Sequence, residues 1–139
     1  MKARNVEGLD PRGALRLNAA RIVRTRLDEL RGFADRALVP DAVPVQHDMR
    51  IAAKRLRYVL EVFAPCFGEE AEAARLAAKR LQSVLGDLHD CDIMMPKVEG
   101  IPSLAAALRA RRERLFQQFV ELWQVEASRS TWAALERST

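Results

Sequence analysis

The chain has 139 residues, 49% of them hydrophobic and 30% charged, with a formal net charge of +4 and an isoelectric point near 9.6. That length supports one domain around one core, the composition excludes general disorder, and two isolated cysteines, Cys66 and Cys91, exclude a disulfide framework or a cysteine-built zinc site. No apolar run marks a membrane span or a signal peptide, so a cytoplasmic, reducing setting is expected.

Proline and glycine punctuate a series of helical patterns, and no alternation of β-branched residues argues for a strand. The expected fold is all-α: an antiparallel up-and-down helical bundle of about four long helices and a short C-terminal one, with residues 1–139 forming a single domain. Asp10-Pro11 reads as a cap followed by a first-turn proline. It opens a helix that buries Ala20, Val23, Leu27, Leu30 and Ala34 and runs to about Arg36. Arg12 and Arg16 continue that inner line, where a guanidinium must reach solvent, a carboxylate or a ligand. Snorkelling from the helix end is the plain alternative. Val39 to Pro44 is the connection.

The second helix, expected over about Val45 to Ala64, carries the densest chemistry. At roughly 100° per residue, His47, Arg50, Lys54 and Arg57 share a sector of about 80°, opposite Met49, Ala52, Ala53, Leu56, Val59, Leu60 and Phe63. Glu61 is the only carboxylate in that sector. A basic run on a helix is often just its solvated face. Solvated faces, however, mix signs at i, i+4, and this one is nearly single-signed. Four donors over about three turns of about 5.4 Å each suit an extended ligand with repeated negative charge. Of the 23 basic residues 19 are arginine, whose planar fork binds phosphate oxygens bidentately. For His47 alone, capping or packing near the helix start is the competing role.

A third helix is expected from about Glu70 to Leu88, turning Ala74, Ala77, Ala78, Leu81, Val84, Leu85 and Leu88 inward. Arg75, Lys79, Gln82, Gly86 and His89 form a polar stripe along its flank, making Lys79 and His89 candidate donors from a second wall. Glycine inside a helix costs about 1 kcal/mol against alanine, so a neighbouring helix or a ligand should come close at Gly86. Between Asp87 and Pro102 the pattern is ambiguous: Ile93-Met94-Met95 either continues the helix or turns before Pro96. A fourth helix from Pro102-Ser103 to about Val125 sets Arg112 among Leu108, Leu115 and Phe119, another candidate anion contact. A short terminal helix spans Ser130 to Glu136.

His47-Asp48 and His89-Asp90 look like the His-Asp pair of metal phosphohydrolases. Such a site needs further histidine and aspartate ligands, and the chain has no third histidine. No nucleophile, base and orienter can be assembled either. Binding is therefore expected in place of catalysis, without a metal or cofactor.

The second helix resembles the signature helix of the conserved histidine α-helical domain, the CHAD family. His47, Arg50, Lys54, Arg55, Leu56, Arg57 and Phe63 match its His-x-x-Arg...Arg-Arg-Leu-Arg...Phe pattern, with Lys54 replacing an arginine. Leu81 to Asp90 is similar to the family's Leu-Gly-x-x-Arg-Asp element, with His89 at the arginine position. The resemblance implies binding of inorganic polyphosphate in a basic channel between helices. His47 would donate to a phosphate oxygen, Arg50, Lys54 and Arg57 would continue the rail, and Arg55 would reach in from its flank. Nucleic acid is the less favoured polyanion, because single-strand binders interleave cations with aromatic platforms and the basic faces carry only Tyr58. A helical adaptor using Trp123, Val125, Trp132 and Leu135 is the remaining alternative. The family commonly joins two bundles, so this single one implies a homodimer in which a second copy supplies the missing half.

Overall fold

A computed structural model describes residues 1–139. It contains α1 (Leu15–Ala37), α2 (Val43–Phe63), α3 (Glu69–Val98), α4 (Pro102–Ser128) and α5 (Thr131–Ser138), with one 3-10 turn at Ala64–Cys66 and no strand. The architecture is all-α, as the periodicity predicts. No helix is long and apolar enough to cross a membrane.

Two boundaries differ from the sequence reading by about a turn or more, the others by about three residues or fewer. Asp10-Pro11 does not open α1; it builds a separate turn. The Arg12 N–H donates to the Asp10 carboxylate at 3.0 Å and the Gly13 N–H to the Asp10 carbonyl at 2.9 Å, which is the arrangement favoured by aspartate, proline and glycine at the first, second and fourth places of a β-turn. The Asn18 side chain braces this turn from inside the helix, donating to the Asp10 carbonyl at 2.6 Å. The ambiguous stretch after Leu88 continues α3, giving one 30-residue helix with Pro96 in its last turn. Proline removes only the bond back to the carbonyl of Asp92, and the helix ends two residues later, so the disruption stays within a terminal turn. At the other end of α3, Glu69, Glu70 and Glu72 occupy the first turn, where carboxylates complement the helix dipole.

Helices adjacent in sequence pack on one another, with α2 and α3 making the most extensive contact and α5 lying across α3 and α4. Buried apolar side chains form a single cluster of 27 residues. Ala52 and Ala53 of α2, with Ala74, Ala77 and Ala78 of α3, are fully buried in it. Side chains this small let a packed neighbour helix approach closely, and α2 and α3 form the most extensive contact of the bundle. Leucines 27, 30, 56, 60, 81, 85 and 88 fill the layers around this seam. Of the C-terminal apolar residues Trp132 and Leu135 turn inward, 4% and 0% exposed, while Trp123 is half-buried and Val125 exposed. Trp123 stacks on Trp132 with ring centroids 5.8 Å apart, fastening α5 to the bundle.

Ala77→Leu is expected to lower the unfolding free energy by about 1–3 kcal/mol through overpacking of the seam. Urea denaturation measures this, with Ala73→Leu at an exposed position of the same helix expected to change it by no more than about 0.5 kcal/mol.

Candidate anion-binding groove

The polar stripes of α2 and α3 meet along one edge of the bundle. The His47 and His89 rings stack, centroids 4.3 Å apart and planes 27° from parallel. The Arg50 Cδ passes 3.8 Å from the point where a side chain at Gly86 would begin. Near the far end, Glu61 approaches the Arg75 guanidinium at 3.8 Å. Each step forward along α2, from 47 to 50 to 61, is thus matched by an equal step back along α3, from 89 to 86 to 75. This is the register of two antiparallel helices, and it sets Lys54 opposite Gln82 and Arg57 opposite Lys79. One wall carries His47, Arg50, Lys54 and Arg57 over about 15 Å, and the other carries Lys79, Gln82 and His89. Gly86 gives Arg50 room to lie across the seam. An added methyl there meets it only at ordinary contact distance, whereas a longer side chain displaces it.

Arg50, Lys54 and Lys79 make no salt bridge. His47 Nδ1, Arg50 Nε, Arg57 Nε and Gln82 Oε1 are shielded from solvent and have no hydrogen-bond partner. Each such group costs on the order of 1–3 kcal/mol while unpaired; the arginine Nε atoms are donors suited to an anion, whereas Gln82 Oε1 is an acceptor and needs a donor. Arg57 lies 4.8 Å over the Tyr58 ring, and its Nε is 3.6 Å from Glu61 Oε1, too long for a hydrogen bond. Burial holds the His47 imidazole below its ordinary value of 6.5; the His89 ring and the Arg50 guanidinium add to this, while Asp48 pulls the other way.

Three candidate cations are engaged elsewhere. Arg55, off the basic sector, donates from one terminal nitrogen to the Met1 carbonyl at 2.7 Å, while its other terminal nitrogen is shielded and unpaired. Arg16 donates to the carbonyls of Cys66 and of Ser138, the latter at 3.1 Å, and lies over the Phe67 ring. It joins the start of α1 to the α2–α3 connection and to the end of α5. Arg112 is 13% exposed and grips Asp92, itself 16% exposed, through bonds of 2.5 Å and 3.3 Å. It also donates to the Pro40 carbonyl at 2.8 Å and to Gln46 Oε1 at 2.7 Å. Gln46, buried at 2%, turns its amide nitrogen to the carbonyls of Ala37, Val39 and Pro40, so it satisfies the C-terminal end of α1.

The structure therefore gathers His47, Arg50, Lys54, Arg57, Lys79 and His89, and holds Arg16, Arg55 and Arg112 apart from them. The sequence reading puts Gln82 on the α3 stripe but, for want of a charge, not among the candidate contacts. It misses Gln46 altogether, which lies outside the groove and anchors Arg112; an amide on the buried side of an otherwise apolar helix face is the signal. No cluster of three or more His, Cys, Asp or Glu side chains is arranged to hold a metal ion.

A family model of the CHAD domain matches residues 4–99, a span that contains α1, α2, α3 and both walls of the groove. No curated protein and no solved structure matches the chain.

Removing Arg112 leaves Asp92 and Gln46 Oε1 without their donors inside the bundle. Arg112→Ala is expected to cost about 3 kcal/mol or more of unfolding free energy, measured by chemical denaturation. Anion binding by the groove is expected to survive this change at temperatures where the variant remains folded.

Proposed function

The chain belongs to the CHAD family, and on that premise we propose that it binds inorganic polyphosphate as a linear chain laid in the α2–α3 groove, without chemical turnover. Convergence carries the reading: six nitrogen-bearing side chains from two helices meet along one edge, and three of them, Arg50, Lys54 and Lys79, lack any carboxylate partner. Like charges placed on adjacent turns destabilise a helix, and a polyanion converts that repulsion into attraction. Guanidinium groups bind phosphate oxygens through paired, charge-assisted bonds, and the unpartnered Nε atoms of Arg50 and Arg57 are donors of this kind. A thin chain suits a groove whose walls stand on two closely packed helices. A nucleic acid gains less here, because Tyr58, 48% exposed, is the only aromatic platform beside the basic line and successive bases need several.

Protons take part in this binding. The folded protein holds His47 toward its neutral form, and a bound polyanion favours the imidazolium, so binding near pH 6.5 takes up a proton. Because the folded-state value is lowered, the contribution of His47 to ligand-free stability is complete above about 6.5 and declines as pH falls through it. Affinity moves the opposite way.

Calorimetric titration with long-chain polyphosphate, beside single-stranded DNA of matched charge, tests the reading. Tight binding to polyphosphate alone is expected, weakening steeply with added salt as counterions are released. Arg50→Glu combined with Arg57→Glu is expected to weaken it about 100-fold or more, since two charge-assisted contacts become repulsions, while circular dichroism remains helical. Equal affinity for DNA, or an unaffected variant, overturns the proposal. Between pH 7.5 and 5.5 affinity is expected to rise, with proton uptake visible as a dependence of the binding heat on buffer ionisation enthalpy, and ligand-free stability is expected to fall. His47→Gln flattens both trends if His47 carries them.

A further inference from the structure

The cationic rail has two ends, and they differ in kind. Toward the C-terminus of α2, Glu61 stands on the rail's own line, 3.6 Å from Arg57 and 3.8 Å from Arg75. Arg75 is the next cation along the opposite wall, yet it is already engaged. Its Nε and one terminal nitrogen donate to Glu72 at 2.9 Å and 2.7 Å, a contact that holds the Glu72 carboxyl below its ordinary value. Glu61 and Glu72 thus neutralise Arg75 from two sides. Beyond it, within about one helical turn, the edge carries Glu72 and no further free cation. Toward the other end, the register that stacks His47 on His89 brings Val43 opposite Ile93, two apolar positions that interrupt the line; past them are only the N-terminal ammonium, which acts weakly on His47, and Lys97, about 12 Å beyond His89 on α3. The next guanidinium in that direction, Arg112, is taken up by Asp92, Gln46 and the Pro40 carbonyl.

Resting on the polyphosphate reading, we propose that Glu61 with the Glu72-bound Arg75 is a stop at the α2 C-terminal end of the groove, and that it limits how many phosphates of a chain the groove engages. Four fixed cations, Arg50, Lys54, Arg57 and Lys79, lie between this stop and the stacked His47 and His89. A chain longer than this span leaves the groove before Glu61 and runs into solvent, so its further phosphates add no contact. Glu61 is on this account a specificity-determining residue: it acts by repelling phosphate and by withholding Arg75, and its removal alone leaves Arg75 still held by Glu72.

The test is calorimetry with linear polyphosphates of defined length, from triphosphate upward, at several salt concentrations. It compares the wild-type protein, the double variant Glu61→Gln with Glu72→Gln, and a control, Glu69→Gln with Glu70→Gln. The control makes the same change of charge away from the groove, at residues that line a separate cavity of about 410 Å³ between α3, α4 and α5. For the wild type, the slope of log affinity against log salt is expected to steepen with chain length and level off near roughly −3, the value for four phosphate contacts on a flexible chain. In the double variant the released Arg75 adds a contact. The slope is then expected to level off at a longer chain, and chains that reach Arg75 should bind about fivefold more tightly at about 0.1 M salt, with triphosphate unchanged. The control is expected to keep the wild-type levelling length. A wild-type slope that keeps steepening with length, or a double variant indistinguishable from the control, overturns the proposed stop while leaving polyphosphate binding intact. Absence of binding at every length overturns the polyphosphate reading itself and the stop with it.

Discussion

Everything functional in this bundle depends on the buried seam between α2 and α3, its most extensive helix pair. Alanines and leucines are buried along both helices, and their packing brings side chains on one outer edge to those on the other. The seam also fixes register. A pair of antiparallel helices held by small residues has few ways to slide, because the leucine layers on either side must interdigitate at native density. Once Leu56, Leu60, Leu81, Leu85 and Leu88 are seated, His47 has to face His89 and Arg50 has to cross Gly86. Placement of the cations is thus a consequence of core packing, and it requires no ligand.

That arrangement leaves the empty groove electrostatically unfavourable. Two imidazole rings stack against each other, buried donors lack acceptors, and Arg50, Lys54 and Lys79 have no counterions from the protein. The destabilisation is tolerated because the apolar cluster beneath is continuous and because the ties that hold the connections lie elsewhere. Arg112 joins α4 to α3, to the α1–α2 connection and to Gln46. Arg16 joins α1 to both ends of the chain's second half. Structural and exposed cationic roles are therefore separated in space, so the edge that carries unpaired charge bears no part in closing the bundle.

The helices and the α2 wall were legible in the sequence because both depend on periodicity alone. A period near 3.6 residues places His47, Arg50, Lys54 and Arg57 together whatever the helix packs against. The second wall was legible to the extent that Lys79, Gly86 and His89 share a stripe, but the register joining the walls depends on packing that no single helix reveals. The start of α1 was misread because Asp-Pro serves equally as a helix cap and as the opening of a β-turn. Only the Gly13 and Asn18 contacts with Asp10 decide between them. The length of α3 was hidden for a related reason: Pro96 stops a helix interior yet is tolerated in a last turn.

The arginines show most clearly where sequence reasoning stops. Periodicity gives the direction in which a side chain leaves its helix, and a guanidinium then ranges far enough to choose among several partners. Arg16, Arg55 and Arg112 have the residue type and positions of anion contacts, yet each finds a carbonyl or carboxylate of the protein itself. Arg75 lies on the right stripe and is claimed by Glu72. The distinction between a structural and a ligand-directed cation therefore lies in its acceptors. An arginine whose donors are consumed by backbone carbonyls holds the fold, whereas one left with a shielded, unpaired Nε beside other unpaired cations is poised for an outside acceptor. In this chain Arg50 and Arg57 meet that criterion on the same face of one helix, and Lys54 between them, free of any salt bridge, makes the line continuous.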